Sequence, residues 1–89
     1  MNFPFRQHQL GKNVFLREFK EHVENEELIW HQDLEDREVY VVESNGWALQ
    51  MDNELPKALV EGKKYFIPKM TFHRVLKGHG DLKIILKKL

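Results

Sequence analysis

The 89-residue sequence predicts a single all-β domain, a sandwich or barrel of short strands. Two observations carry that reading. Apolar residues alternate at period two in "LKIILKK", with Leu82, Ile84 and Leu86 on one face and Lys83 and Lys87 on the other. Turn signals also recur at short spacing, at Asn45-Gly46, Pro56, Gly62, Pro68 and the "GHG" of residues 78–80.

The elements follow in chain order. Residues 1–13, "MNFPFRQHQLGKN", read as a flexible N-terminal arm, and residues 14–89 as the barrel domain. In "NVFLREFKEHVENEELIWHQD", Phe15, Phe19, Val23 and Trp30 could share a helical face. "NVFLREF" and "EELIWH" also read as two strands with "EHVEN" turning between them, and that reading is preferred. "REVYVVESNGWALQM" reads as a hairpin about Asn45-Gly46, a pair suited to a type I′ turn because both positions need positive φ. "DNELPKAL" is a loop. "KKYFIP" is a strand closed by Pro68, which cannot donate to a ladder. "FHRVLK" and "LKIILKK" are the last strands, joined by a glycine turn.

Composition removes several function classes. The net charge is zero, which argues against a general nucleic-acid binder. Residues 1–54 hold twelve acids and five bases, residues 55–89 two acids and nine bases; interleaving of the halves in one fold is expected to mix these charges. No apolar run is long enough to span a membrane. The first residues lack the apolar block of a secretion signal, and the absence of cysteine suits a cytoplasmic location. Without cysteine there is no disulfide and no thiol nucleophile. The only serine is Ser44 in a turn and the only threonine is Thr71, so hydroxyl catalysis is not expected either.

Gly62-x5-Pro68-x4-His73 resembles the second signature motif of the cupin superfamily, with Met70 where the family has a further glycine. "WHQDLEDREVYVVESNG" resembles a degenerate first motif, with His31 and Asp33 at the positions of its two histidines. Together the two cover roughly residues 30–86. The resemblance implies a small jelly-roll β-barrel, similar to uncharacterised single-domain cupins of marine bacteria and their phages. It also implies a divalent metal, iron, manganese, nickel or zinc, held by His31, Asp33, His73 and a carboxylate from the first motif.

Two residues compete for that last position. A gapless count back from the turn puts Arg37 there, where it would repel a cation and suit a carboxylate or phosphate. The hairpin reading pairs Val42 with Leu49 and Tyr40 with Met51, which turns Glu38 inward and Arg37 out; a one-residue slip exchanges the two. Glu38 inward is preferred. Tyr40 and Trp47 read first as core and second as a ligand-stacking surface beside Arg37. His8, His22 and His79 read as surface residues. Three functions stay open: a metal-dependent enzyme acting on a small molecule, a non-catalytic module for a small acidic ligand, and a structural protein that has lost the site. A homodimer is expected, since jelly-roll edges invite pairing.

Overall fold

The structure is a computed structural model and describes residues 5–21 and 28–89. Among them there is no helix. The strands are β1 (Arg6–Gly11), β2 (Val14–Phe19), β3 (Arg37–Glu43), β4 (Ala48–Met51), β5 (Lys57–Ala58), β6 (Lys64–Ile67), β7 (His73–Leu76) and β8 (Leu82–Lys88). They form two antiparallel sheets, a larger one in the order β1-β2-β8-β3-β6 and a smaller one in the order β5-β4-β7. The all-β expectation holds. Among the described residues no helix is long and apolar enough to cross a membrane.

The alternation in β8 explains its central place. Leu82, Ile84 and Leu86 are buried, and each stands opposite an inward residue of a neighbour: Ile84 against Val41 and Leu86 against Val39. Burying an aliphatic side chain contributes about 1.5–3 kcal/mol. One apolar cluster joins these residues to Leu49 and Met51 of the smaller sheet, and to Trp47, Leu59, Ile67 and Leu28. The two sheets therefore close on a shared core. The acidic and basic halves of the chain interleave there, since β3 lies between β8 and β6, with Glu38 near Lys64 and Glu43 near Lys83 at 3.8 Å each.

Two expectations change. The turn at Asn45-Gly46 forms, with φ of 54° and 82° and a bond from the Trp47 amide to the Ser44 carbonyl at 3.3 Å. Yet β3 and β4 do not pair. β3 bonds to β8 and β6, while β4 bonds to β7 and β5, so the turn is a corner between sheets. The "GHG" loop clasps this corner: the Trp47 indole donates to the Gly80 carbonyl at 2.7 Å, and the His79 amide to the Asn45 carbonyl at 2.8 Å. A corner is free of the cross-strand pairing rule, so the faces deduced from a hairpin do not apply. Second, "EELIWH" supplies a single bridge residue, His31, rather than a strand among its described residues; "EHVEN" and Val23 lie almost wholly outside them. Residues 6–11 of the expected arm form β1 and pair with β2.

Candidate metal centre and cavity

The spacing Gly62-Pro68-His73 sets out one strand, one break and the next strand. Gly62, at φ 84°, turns the chain into β6, its amide bonded to the Val41 carbonyl at 2.8 Å. β6 ends at Ile67, directly before Pro68, and β7 begins at His73. Met70 between them adopts φ 59°, a left-handed conformation that costs a side-chain-bearing residue about 1–2 kcal/mol. The local backbone is the one a glycine would take, and it lets the Met70 amide reach the Asp33 carbonyl at 2.7 Å.

His31 and His73 exchange both backbone bonds, amide to carbonyl, at 3.1 and 2.8 Å. Residues in such a hydrogen-bonded antiparallel pair present their side chains on the same face. The two imidazoles accordingly lie with centroids 4.3 Å apart. Asp33, two residues after His31 and thus on the same side of an extended chain, brings its carboxylate to the same place: Oδ2 is 3.3 Å from His73 Nε2. One ligand atom from each of the three residues lies within 4.8 Å of the others.

Hydrogen bonds at the far side of each ring matter as much. His31 Nδ1 meets the Ile29 carbonyl at 2.9 Å, and His73 Nδ1 meets the Thr71 carbonyl at 2.8 Å. A carbonyl only accepts, so each Nδ1 carries the proton and each Nε2 keeps its lone pair, the arrangement usual for metal-binding histidines. Asp33 Oδ2 is buried and has no hydrogen-bond partner. Two lone-pair atoms thus face each other across 3.3 Å, a contact that calls for a positive centre between them.

A proton is a poor candidate for that centre. Burial pushes the His73 imidazole below its usual 6.5, opposed by the Thr71 carbonyl, aided by His31, opposed by Asp33 and aided again by Arg37. The folded chain therefore holds this proton less tightly than the unfolded chain. Stability is fully present above about 6.5 and is lost as pH falls from there through the folded value. Urea unfolding between pH 7.5 and 5 should show that loss in the metal-free chain, and His73→Gln should reduce it. An equal loss in His73→Gln would assign it to another group.

The ring of residues opens on a cavity of about 350 Å³, near the lower end of the roughly 300–1,000 Å³ usual for ligand pockets. Its walls come from both sheets, including Val39, Leu49, Ile67 and Ile84, with His31, Asp33, Arg37 and His73 among the polar lining residues.

No family model matches the chain, and no curated protein matches it in sequence. Solved structures do match. The DMSP lyase DddQ from Ruegeria pomeroyi DSS-3 superposes with a TM-score of 0.78 at 12% identity, over 96% of this chain and 46% of that one. An RmlC-like cupin family protein with a double-stranded β-helix fold, from Methanocaldococcus jannaschii, superposes with a TM-score of 0.70 at 11% identity, over 98% and 81%. The chain has the cupin fold. Fe(II)-HppE with the alternative substrate (S)-1-HPP also matches, with a TM-score of 0.68 at 17% identity, over 96% and 48%. The chain spans less than half the length of the DddQ and HppE chains. At these identities the likeness establishes the fold.

Within this cupin barrel the remaining expected residues sort cleanly. Arg37 points inward, alternating with Val39 and Val41 on the face set by β8, and its side chain is 12% exposed. Glu38 points outward, 38% exposed and beside Lys64, so the inward Glu38 is corrected. Its assignment depended on a β3–β4 hairpin that does not form. Tyr40 shares that outer face opposite Ile85 and Lys64 and does not line the cavity. Trp47 is fully buried in the core and does not line it either. Arg37 Nη2 contacts Asp33 Oδ1 at 3.3 Å and Glu35 Oε1 at 3.5 Å. Its repulsion of a cation is thereby tempered by two carboxylates. That contact is to Oδ1, while the other oxygen, Oδ2, faces His73. The reading of the sequence missed Arg17, which also lines the cavity. Its signal was present: in the preferred strand it falls on the face of Phe15 and Phe19.

Proposed function

We propose that this cupin domain binds a divalent metal ion through His31, Asp33 and His73 and acts on a small molecule held in the adjoining cavity. The observation that carries this reading is the buried, unpartnered Asp33 Oδ2 facing His73 Nε2. Two imidazoles and one carboxylate suit iron, manganese, nickel or zinc and leave coordination positions open. An ion there would polarise a bound carbonyl, carboxylate or water. The chain's own residues do the rest. The Ile29 and Thr71 carbonyls hold the two rings in one tautomer, Arg37 orients the carboxylate, and the aliphatic walls exclude water. Thermal melts with each of the four ions test the proposal; a rise in melting temperature with at least one is expected, and no rise with any of them contradicts it.

The inward Arg37 favours a second reading, a non-catalytic module for an acidic ligand. Its side chain lines the cavity, where an arginine would meet the carboxylate of such a ligand. Stabilisation by small carboxylates with no response to metal would select this reading.

A homodimer belongs to the same proposal. β1 is the edge of the larger sheet and all six of its residues are exposed, so a second copy could extend the ladder there. Light scattering at high micromolar concentration should give twice the chain mass; a monomer refutes it.

A further inference from the structure

Arg17 is a charged side chain that neither the core nor the metal-binding group explains. On β2 it stands opposite Ile84, in the row where Phe15 faces Leu86 and Phe19 faces Leu82. Placing a guanidinium there is unfavourable: burial first, and then the like charge of Arg37, pull it from 12.5 down to about 10, with Asp33 and Glu35 acting in the opposite sense. It is still a cation at neutral pH. Its head is held in place by Nε donating to Gln7 Oε1 at 2.6 Å and by Cζ lying 4.3 Å from the centre of the Phe5 ring. Both contacts orient the charge without neutralising it. Among the described residues no carboxylate forms an ion pair with Arg17.

Arg37 shares the cavity. Its Nη2 is taken by Asp33 and Glu35, and its Nε is buried without a partner. Much of the remaining wall is aliphatic, with Leu49, Leu59 and Ile67 on it. An oriented Arg17 without an ion-pair partner, with Arg37 and its two carboxylates beside it in a largely apolar cavity, forms a receptor for a small anion, since an arginine fork bonds an oxyanion through paired donors.

We propose that Arg17, with Arg37, receives the carboxylate of a small organic acid whose apolar body lies against the aliphatic wall. This rests on the cavity being the ligand site. It makes Arg17 the residue that selects the class of ligand, and it does not depend on the ion.

The test is a set of thermal melts of the whole chain in chelator, with propionate, succinate, inorganic phosphate or the neutral propionamide. Propionate or succinate should raise the melting temperature, and propionamide should not. Arg17→Met should weaken the acid roughly ten- to hundredfold, the usual effect of losing a charged hydrogen-bond partner. It should leave any metal-induced shift unchanged. Arg17→Lys keeps the charge but loses the fork, so it should fold as the parent does and bind the acid more weakly. Stabilisation by phosphate alone, an equal effect of propionamide, no effect of either acid, or parent-like affinity in both Arg17 variants would overturn the proposal. A metal shift without an acid shift defeats this inference alone. An acid shift without a metal shift defeats the metal reading alone.

Discussion

Replacing His73 by alanine is expected to abolish the stabilisation of the chain by iron, manganese, nickel or zinc. His73 is 4% exposed, and its Nε2 faces the orphaned Asp33 oxygen. Without it the group of three falls to His31 and Asp33, a pair without the convergent third donor. An ion that binds only the folded chain at a hundred times its Kd stabilises by about 2.7 kcal/mol. In a domain of this size that corresponds to a rise of about 10–20 °C in Tm. Loss of an outer partner of a metal ligand typically weakens affinity about 10- to 100-fold, and loss of a ligand should exceed that. The variant also loses the bond from Nδ1 to the Thr71 carbonyl, worth about 1 kcal/mol, so each chain must be compared with its own metal-free form. His79→Ala is the control. That imidazole is exposed and rests against Gly46 in the corner, so its removal should leave the metal shift as it was. A shift retained in His73→Ala would place the ion elsewhere.

Trp47→Ala should bring the domain close to unfolding. Trp47 is completely buried where the chain passes from one sheet to the other, its ring centroid 5.7 Å from that of Phe19 on β2. Truncating a buried tryptophan costs about 3–5 kcal/mol. Loss of the indole bond to the Gly80 carbonyl adds about 1 kcal/mol. Small domains have about 5–15 kcal/mol in total, and one of 89 residues belongs towards the lower end. Urea titration should show the midpoint collapse with little change in slope. A loss below about 1 kcal/mol would mean that the corner is not held by this side chain. The prediction also separates the two readings of Trp47, because a ligand-stacking residue would tolerate truncation far better.

What could be read in the chain was whatever local pattern determines. The inward face of β8 follows from its alternating leucine, isoleucine and lysine residues, and the strand, break and strand about Pro68 follow from the proline itself. Backbone geometry persisted even where the expected glycine is Met70, which takes a φ of 59° with its amide bonded to the Asp33 carbonyl. The face of β3 was not legible. Val39 and Val41 on one side and Tyr40 and Val42 on the other are both apolar, so alternation alone permits either. Pairing with β8, some forty residues away in sequence, decides it. The turn at Asn45-Gly46 was legible and its consequence was not, since the same tight turn can close a hairpin or pass the chain between sheets. His31 and His73 were recognisable as candidates from motif spacing. Their approach depends on a bridge between distant segments that no local pattern records. Arg17 was overlooked because the adjacent charges Arg17 and Glu18 in "NVFLREF" both read as solvated positions until the sheet turns the first of them inward.

Anomalous diffraction from a crystal soaked in zinc, recorded at the zinc absorption edge, tests the central claim most directly. The account predicts a peak bonded to His31 Nε2, Asp33 Oδ2 and His73 Nε2, with Arg37 still on Asp33 Oδ1. Zinc bound only at other residues, or an Asp33–His73 contact left without an ion at saturating zinc, would contradict it.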